Sequence, residues 1–113
     1  MKKIEATIQS GKINIVSEAV DELVSGFTVI EGKGRGSGKR QNIRSGRGTK
    51  MQTEEFNKVS IIQTIVDDSL VEKVSKTIED LAYTGEESDG VIIISDIESM
   101  LNIGTKKKDS WTY

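Results

Sequence analysis

The sequence contains no cysteine and no histidine among its 113 residues. The first absence excludes disulfides and thiolate chemistry; the second removes the commonest metal ligand and the commonest general acid or base. No motif surrounds any serine, so neither a nucleophile nor a base stands in a catalytic constellation, and a non-catalytic protein is expected. Aromatics are scarce too: one Trp, two Tyr and two Phe in a chain that is 35% hydrophobic. So lean a chain recovers buried area by oligomerising. Nothing approaches the roughly 20 apolar residues of a membrane span, and the opening MKKIEATI lacks the apolar run of a signal peptide. The expectation is one soluble domain over residues 1–113, in a reducing cytoplasm.

What is present is concentrated between Gly32 and Phe56, GKGRGSGKRQNIRSGRGTKMQTEEF. Six glycines and the cations Lys33, Arg35, Lys39, Arg40, Arg44, Arg47 and Lys50 precede its first acid, Glu54. Net charge is only -2, so the rest of the chain is distinctly acidic. Such a stretch cannot build a core, and a structureless loop longer than about 15 residues is either functional or disordered. Three readings stand: a mobile solvated loop, a site for an anion or partner surface, and a nucleic-acid contact. The last lacks the interleaved aromatics that stack on bases. Walker and Rossmann patterns both fail: Arg40 follows Gly38-Lys39, and the glycines are spaced G-x-G-x-G.

Around this stretch the periodicities alternate. Ile4, Ala6 and Ile8 have the period of a strand; Ile13, Val16, Val20, Leu23 and Val24 have that of a helix closed by Gly26. Phe27–Glu31 reads as a second strand and Lys58, Val59, Ile61 and Ile65 as a third, together forming the base of an extended hairpin. Asp67 and Asp68 open a second helix, with capping-box spacing at Ser69 and Glu72, buried positions Leu70, Val74, Ile78 and Leu81, and Gly85 at its close. Residues 91–95, VIIIS, read as a strand buried on both faces. Asp96 to Leu101 reads as one or two helical turns, and the tail KKKDSWTY as poorly ordered. Strand, helix, strand, strand, helix, strand is the order of an α+β, ferredoxin-like βαββαβ fold.

That order, with the loop between strands two and three, resembles the PII nitrogen-regulatory family. The matching pieces are MKKIEATI followed by Lys12, FTVIEGKGRG, Arg47-Gly48, Lys58-Val59, Val66-Asp67-Asp68 and TGEESDG at 84–90. The resemblance implies a homotrimer binding nucleotide and 2-oxoglutarate in clefts between subunits. Its T-loop, about residues 32–56, would dock on an ammonium transporter or a nitrogen-assimilation enzyme. Residues 84–90 would be the B-loop and 102–106 the C-loop. It implies a remnant nucleotide pocket of Thr28, Gly34, Gly36, Thr84, Gly85, Asp89 and Gly90, and partner contacts at Arg47, Gly48 and Thr49.

The departures matter as much. Where the family grips ATP phosphates with a Lys after the B-loop and two basic C-loop residues, this chain has Val91, Asn102 and Gly104. Three charge-assisted contacts at roughly 1.5 to 3 kcal/mol each make ATP binding weaker by at least about a thousandfold. Gln41 is a candidate for the family's Mg-binding glutamine only with a one-residue insertion, so no metal is expected. Met51 replaces the tyrosine uridylylated in enteric relatives, leaving Thr49 the nearby hydroxyl. The expected effector is 2-oxoglutarate, held by Lys58, Arg35, Lys39, Arg40, Gln41, Arg44 and Ser88 without ATP or Mg. A conventional ATP/ADP sensor and a nucleic-acid-binding module are the alternatives. The acids Glu86, Glu87 and Asp89 read as solvated turn residues.

Overall fold

The computed structural model describes residues 1–36, 42–45, 50–53 and 56–109. Lys2–Gln9 forms β1, and its period of two is realised, with Ile4, Ala6 and Ile8 buried. A 3-10 turn at Ser10–Lys12 leads into α1, Ile13–Asp21, whose Val16 and Val20 are fully buried. α1 stops short of Gly26: the Leu23 and Val24 N–H groups close the last turn on the Val20 carbonyl. Gly26 is not left-handed and does not cap the helix. It contributes its carbonyl, which accepts from the buried Thr64 hydroxyl at 2.7 Å.

β2, Thr28–Gly34, extends beyond the apolar run into the glycine-rich stretch and pairs antiparallel with β5, Asn57–Val66. This is the hairpin base expected from the sequence. The insertion is not structureless, however. Asn42–Ser45 (β3) and Lys50–Thr53 (β4) form their own antiparallel ladder. Ladder hydrogen bonds need no apolar side chains, which is why hydrophobic periodicity missed them; a lone two-stranded ribbon is only marginally stable in water.

A 3-10 turn at Asp68–Leu70 precedes α2, Val71–Ala82. Asp67 caps the 3-10 turn, accepting from the Ser69 N–H at 3.2 Å and the Ser69 hydroxyl at 2.6 Å. Those bonds, the hydroxyl first, hold the Asp67 carboxyl below its usual range. The Ser69–Glu72 capping box is absent because the serine hydroxyl is spent on Asp67. Val74, Ile78 and Ala82 are buried, with Leu70 and Leu81 at the margin; Gly85 lies beyond an extended Tyr83 rather than at the helix end.

The sheet order is β2-β5-β1-β6, with β6 at Gly90–Asp96 and every pairing antiparallel, which is the ferredoxin-like α+β fold. Both helices cover one face, joining Ile4, Ile62, Val16, Val20, Val74 and Ile78 in a single cluster. On β5 the covered positions are Ser60, Ile62, Thr64 and Val66; Val59, Ile61 and Ile65 face the other way. Buried Ser60 is satisfied by Glu31, at 3.0 Å, and Ser10, at 3.2 Å.

β6 is not buried on both faces. It is an edge strand, with Val91, Ile93 and Ile94 exposed by 59%, 51% and 46%. An apolar run signals that burial is needed, not that one chain supplies it. No helix forms at residues 96–101 either. Leu101 bridges to Lys108, the Asn102 N–H donates to the Lys107 carbonyl at 2.9 Å, and the Lys106 N–H returns to the Asn102 carbonyl at 2.8 Å. Of the tail expected to be poorly ordered, residues 106–109 join this hairpin, the Asp109 carboxylate accepting the Met100 N–H at 3.0 Å, and residues 110–113 lie outside the described residues.

Candidate effector site

The turn at residues 84–90 is built around Asp89. Its carboxylate accepts the Thr84 N–H at 2.6 Å, the Gly85 N–H at 3.0 Å and the Thr84 hydroxyl. The bond from the Thr84 hydroxyl, followed by that from its N–H, holds the Asp89 carboxyl below the usual range. Gly90, at φ +125°, permits β6 to leave the turn against β1. A Cβ there would stand 1.9 Å from the Thr7 carbonyl oxygen, so no other residue fits without movement of backbone. Gln9 at the end of β1 donates through Nε2 to both the Ser88 carbonyl and the Ser88 hydroxyl, at 3.3 Å each.

A cavity of about 310 Å³ brings Gly34, Arg35 and Gly36, at the end of β2, against Ser88 and Gly90 of the turn. Thr7, Asn57 and Val59 complete it, with Glu87 and Val91 on the turn side. Arg35 lies over the Phe56 ring, 5.3 Å from its centroid, an arrangement that favours a cation and fixes the arginine's direction. Among the described residues Arg35 is the cation of this cavity; Glu87 sets a carboxylate against it.

The sequence-predicted residues divide. Gly34, Arg35, Gly36, Ser88 and Gly90 converge on this cavity, while Gly85 and Asp89 face a second one on the α2 side of the turn. The Thr84 and Gly85 amides are taken by Asp89. Lys58 is not among the cavity residues. It pairs with Lys33 across the ladder and shares its strand face with Ser60, whereas its neighbours Asn57 and Val59 wall the cavity. Thr28 sits at the opposite end of β2, about 20 Å from Gly34 at strand spacing. Arg44 lies on β3, paired through its backbone with Met51. Lys39, Arg40, Gln41, Arg47, Gly48 and Thr49 lie outside the described residues. Sequence reasoning missed Thr7, Gln9, Asn57 and Val59. The alternation that buries Ile4, Ala6 and Ile8 already put Thr7 and Gln9 on the other face, which was the available signal.

Among the described residues no three acidic, histidine or cysteine side chains are grouped to hold a metal, and no helix is long and apolar enough to cross a membrane. A helix-backed antiparallel sheet with a cleft where a hairpin base meets a tight turn defines the class, a ferredoxin-like α+β protein. Comparison with known proteins gives the family. The family model for nitrogen regulatory protein P-II matches residues 1–107. The chain is 38% identical over 109 residues to nitrogen regulatory protein P-II of Azospirillum brasilense, covering 96% of each. It is 42% identical over 106 residues to that of Pyropia yezoensis, covering 93% of each, and 38% identical over 111 residues to that of Synechocystis sp., covering 97% of each. The chain belongs to the nitrogen regulatory protein P-II family, a family of signalling proteins.

Proposed function

We propose that the protein is a non-catalytic, cytoplasmic P-II sensor of 2-oxoglutarate that binds ATP weakly or not at all. It regulates an ammonium transporter or nitrogen-assimilation enzyme through residues 32–56, with Arg47 foremost. The observation that carries this reading is the composition of the 310 Å³ cavity, where Glu87 and Val91 stand on the turn and Arg35 opposes them. A dicarboxylate is matched by one guanidinium fork and the Ser88 and Gly90 backbone, while a triphosphate meets a carboxylate and too few cations. The loop cations Lys39, Arg40 and Arg44 supply the second carboxylate's partner. Binding then shifts the insertion between two states that differ in their fit to the partner.

The protein acts as a homotrimer in this reading. The sheet face away from the helices carries Ile30, Val91 and Ile93, 46%, 59% and 51% exposed, and a lean chain that leaves such a face open buries it against copies of itself. Introducing a lysine tests the ligand assignment: Val91→Lys should strengthen ATP binding at least about tenfold in titration calorimetry, by one added charge-assisted contact. ATP affinity already high in the unmodified protein, and unmoved by Val91→Lys, would return it to conventional nucleotide sensing. Arg35→Ala is expected to weaken 2-oxoglutarate binding, and an unchanged affinity would move the carboxylate's partner elsewhere.

A further inference from the structure

Two walls enclose the 310 Å³ cavity: the hairpin base, with Asn57 and Val59, and the turn, with Ser88 and Gly90. Gln9 is not among the cavity's lining residues, yet it is joined to both walls. It is the last residue of β1; its backbone pairs with Val59 of β5, while its side chain reaches Ser88. The ladder between β1 and β6 ends one step earlier, at Ile8 and Gly90. Beyond that step the Gln9 side chain continues the link between sheet and turn. The bonds that Asp89 accepts from Thr84 and Gly85 brace the turn from within and reach neither β1 nor β5.

The chemistry of Ser88 fixes the direction of these bonds. A carbonyl oxygen only accepts, so the Gln9 amide must present its nitrogen, whose two protons serve the Ser88 carbonyl and the Ser88 hydroxyl at 3.3 Å each. Both bonds are partly buried, where water competes for them less than on open surface. A hydroxyl that accepts from Gln9 keeps its own proton to donate, and an amide turned this way offers that proton no acceptor. We propose that Gln9 is a positioning residue of the effector site: it sets the spacing of the two walls and leaves the Ser88 hydroxyl proton to a carboxylate of the effector. The inference rests on the 2-oxoglutarate reading and deepens it, because it gives the Ser88 side chain a carboxylate oxygen to bind and names what holds that side chain in place. Gln9 acts through Ser88 and not on the ligand.

Gln9→Met tests this, since it keeps the length and apolar stem of the side chain and removes both donors. Titration calorimetry should show 2-oxoglutarate binding about tenfold weaker in Gln9→Met and in Ser88→Ala. The double variant should lose about tenfold, not about a hundredfold, because Ser88→Ala then removes a hydroxyl that Gln9→Met has already released. Gln9→Glu cannot donate to the Ser88 carbonyl and claims the Ser88 proton, so it should weaken binding at least as much as Gln9→Met. Amide hydrogen exchange reads the link with no ligand present: Gln9→Met should speed exchange at residues 88–90 and leave the β1–β5 ladder protected. Unchanged exchange at 88–90, or an equal loss of protection along β1 and β5, overturns the positioning role whatever the site binds. Unchanged 2-oxoglutarate affinity in Gln9→Met, or a full hundredfold loss in the double variant, overturns it too. Faster exchange at 88–90 in a protein whose unmodified form takes up no 2-oxoglutarate keeps the link and overturns the effector reading instead.

Discussion

The two faces of the sheet are built from the same residue types yet end in different environments. Ile4, Ile8 and Ile62 point to the helices and are no more than 2% exposed; Ile30 and Ile93, on the two edge strands, point away and stay about half exposed. β-branched composition therefore says that a position belongs in a sheet, whereas the helices decide which face one chain can finish. In the single chain the other face stays uncovered.

The comparison is broken most forcefully by truncation. Ile62→Ala should lower unfolding stability by about 2 to 5 kcal/mol, as for other buried Ile truncations. Ile93→Ala should leave the dissociated chain within about 0.5 kcal/mol of the original, as for other surface positions, and instead weaken assembly. Denaturant unfolding and sedimentation of both variants read the difference. If Ile93→Ala destabilised as much as Ile62→Ala with assembly unchanged, the open face would not be an assembly surface.

Next in size is Gly90→Ala, which forces a Cβ toward the Thr7 carbonyl at a positive φ. Strain of about 1 to 3 kcal/mol is expected, released by loosening β6 from β1. Faster hydrogen exchange along residues 91–95, with the β1–β5 amides still protected, would show it; uniform protection would mean that the turn yields instead.

The smallest effect is acid sensitivity of the turn. Asp89 has its pKa lowered in the folded protein, so its contribution is complete above the ordinary aspartate value of about 3.9 and is lost as pH falls through the lower folded value. Asp67 and Asp96 shift in the same direction, Asp96 through its bond from Lys2. Lys2, raised by Asp96, contributes below about 10.4 and loses that contribution as pH rises through its folded value. The Thr84 and Gly85 amide resonances should titrate with Asp89, and Asp89→Asn should abolish that transition. Resonances that ignore both would detach the turn from its carboxylate.

The fold was largely legible because each element on the covered face carries its period openly: two for Ile4, Ala6 and Ile8, and helical spacing for Val16 with Val20 and Val74 with Ile78. Helix ends were less so. Gly26 and Gly85 were read as caps because glycine tolerates left-handed backbone, but Glu22 and Tyr83 end the helices without it. The β3–β4 ladder is written in backbone bonds that composition does not reveal. Half of the site was visible in its glycines and Arg35; the rest, Thr7, Asn57 and Val59, is ordinary strand sequence brought together only by the register of β1 with β5.

Titration calorimetry of the unmodified protein with 2-oxoglutarate alone and with ATP alone, in Mg-free buffer, asks the cleft most directly which anion it was built for. Saturable binding of 2-oxoglutarate with little or no heat from ATP is the expected result. Tight ATP binding together with no heat from 2-oxoglutarate would contradict it.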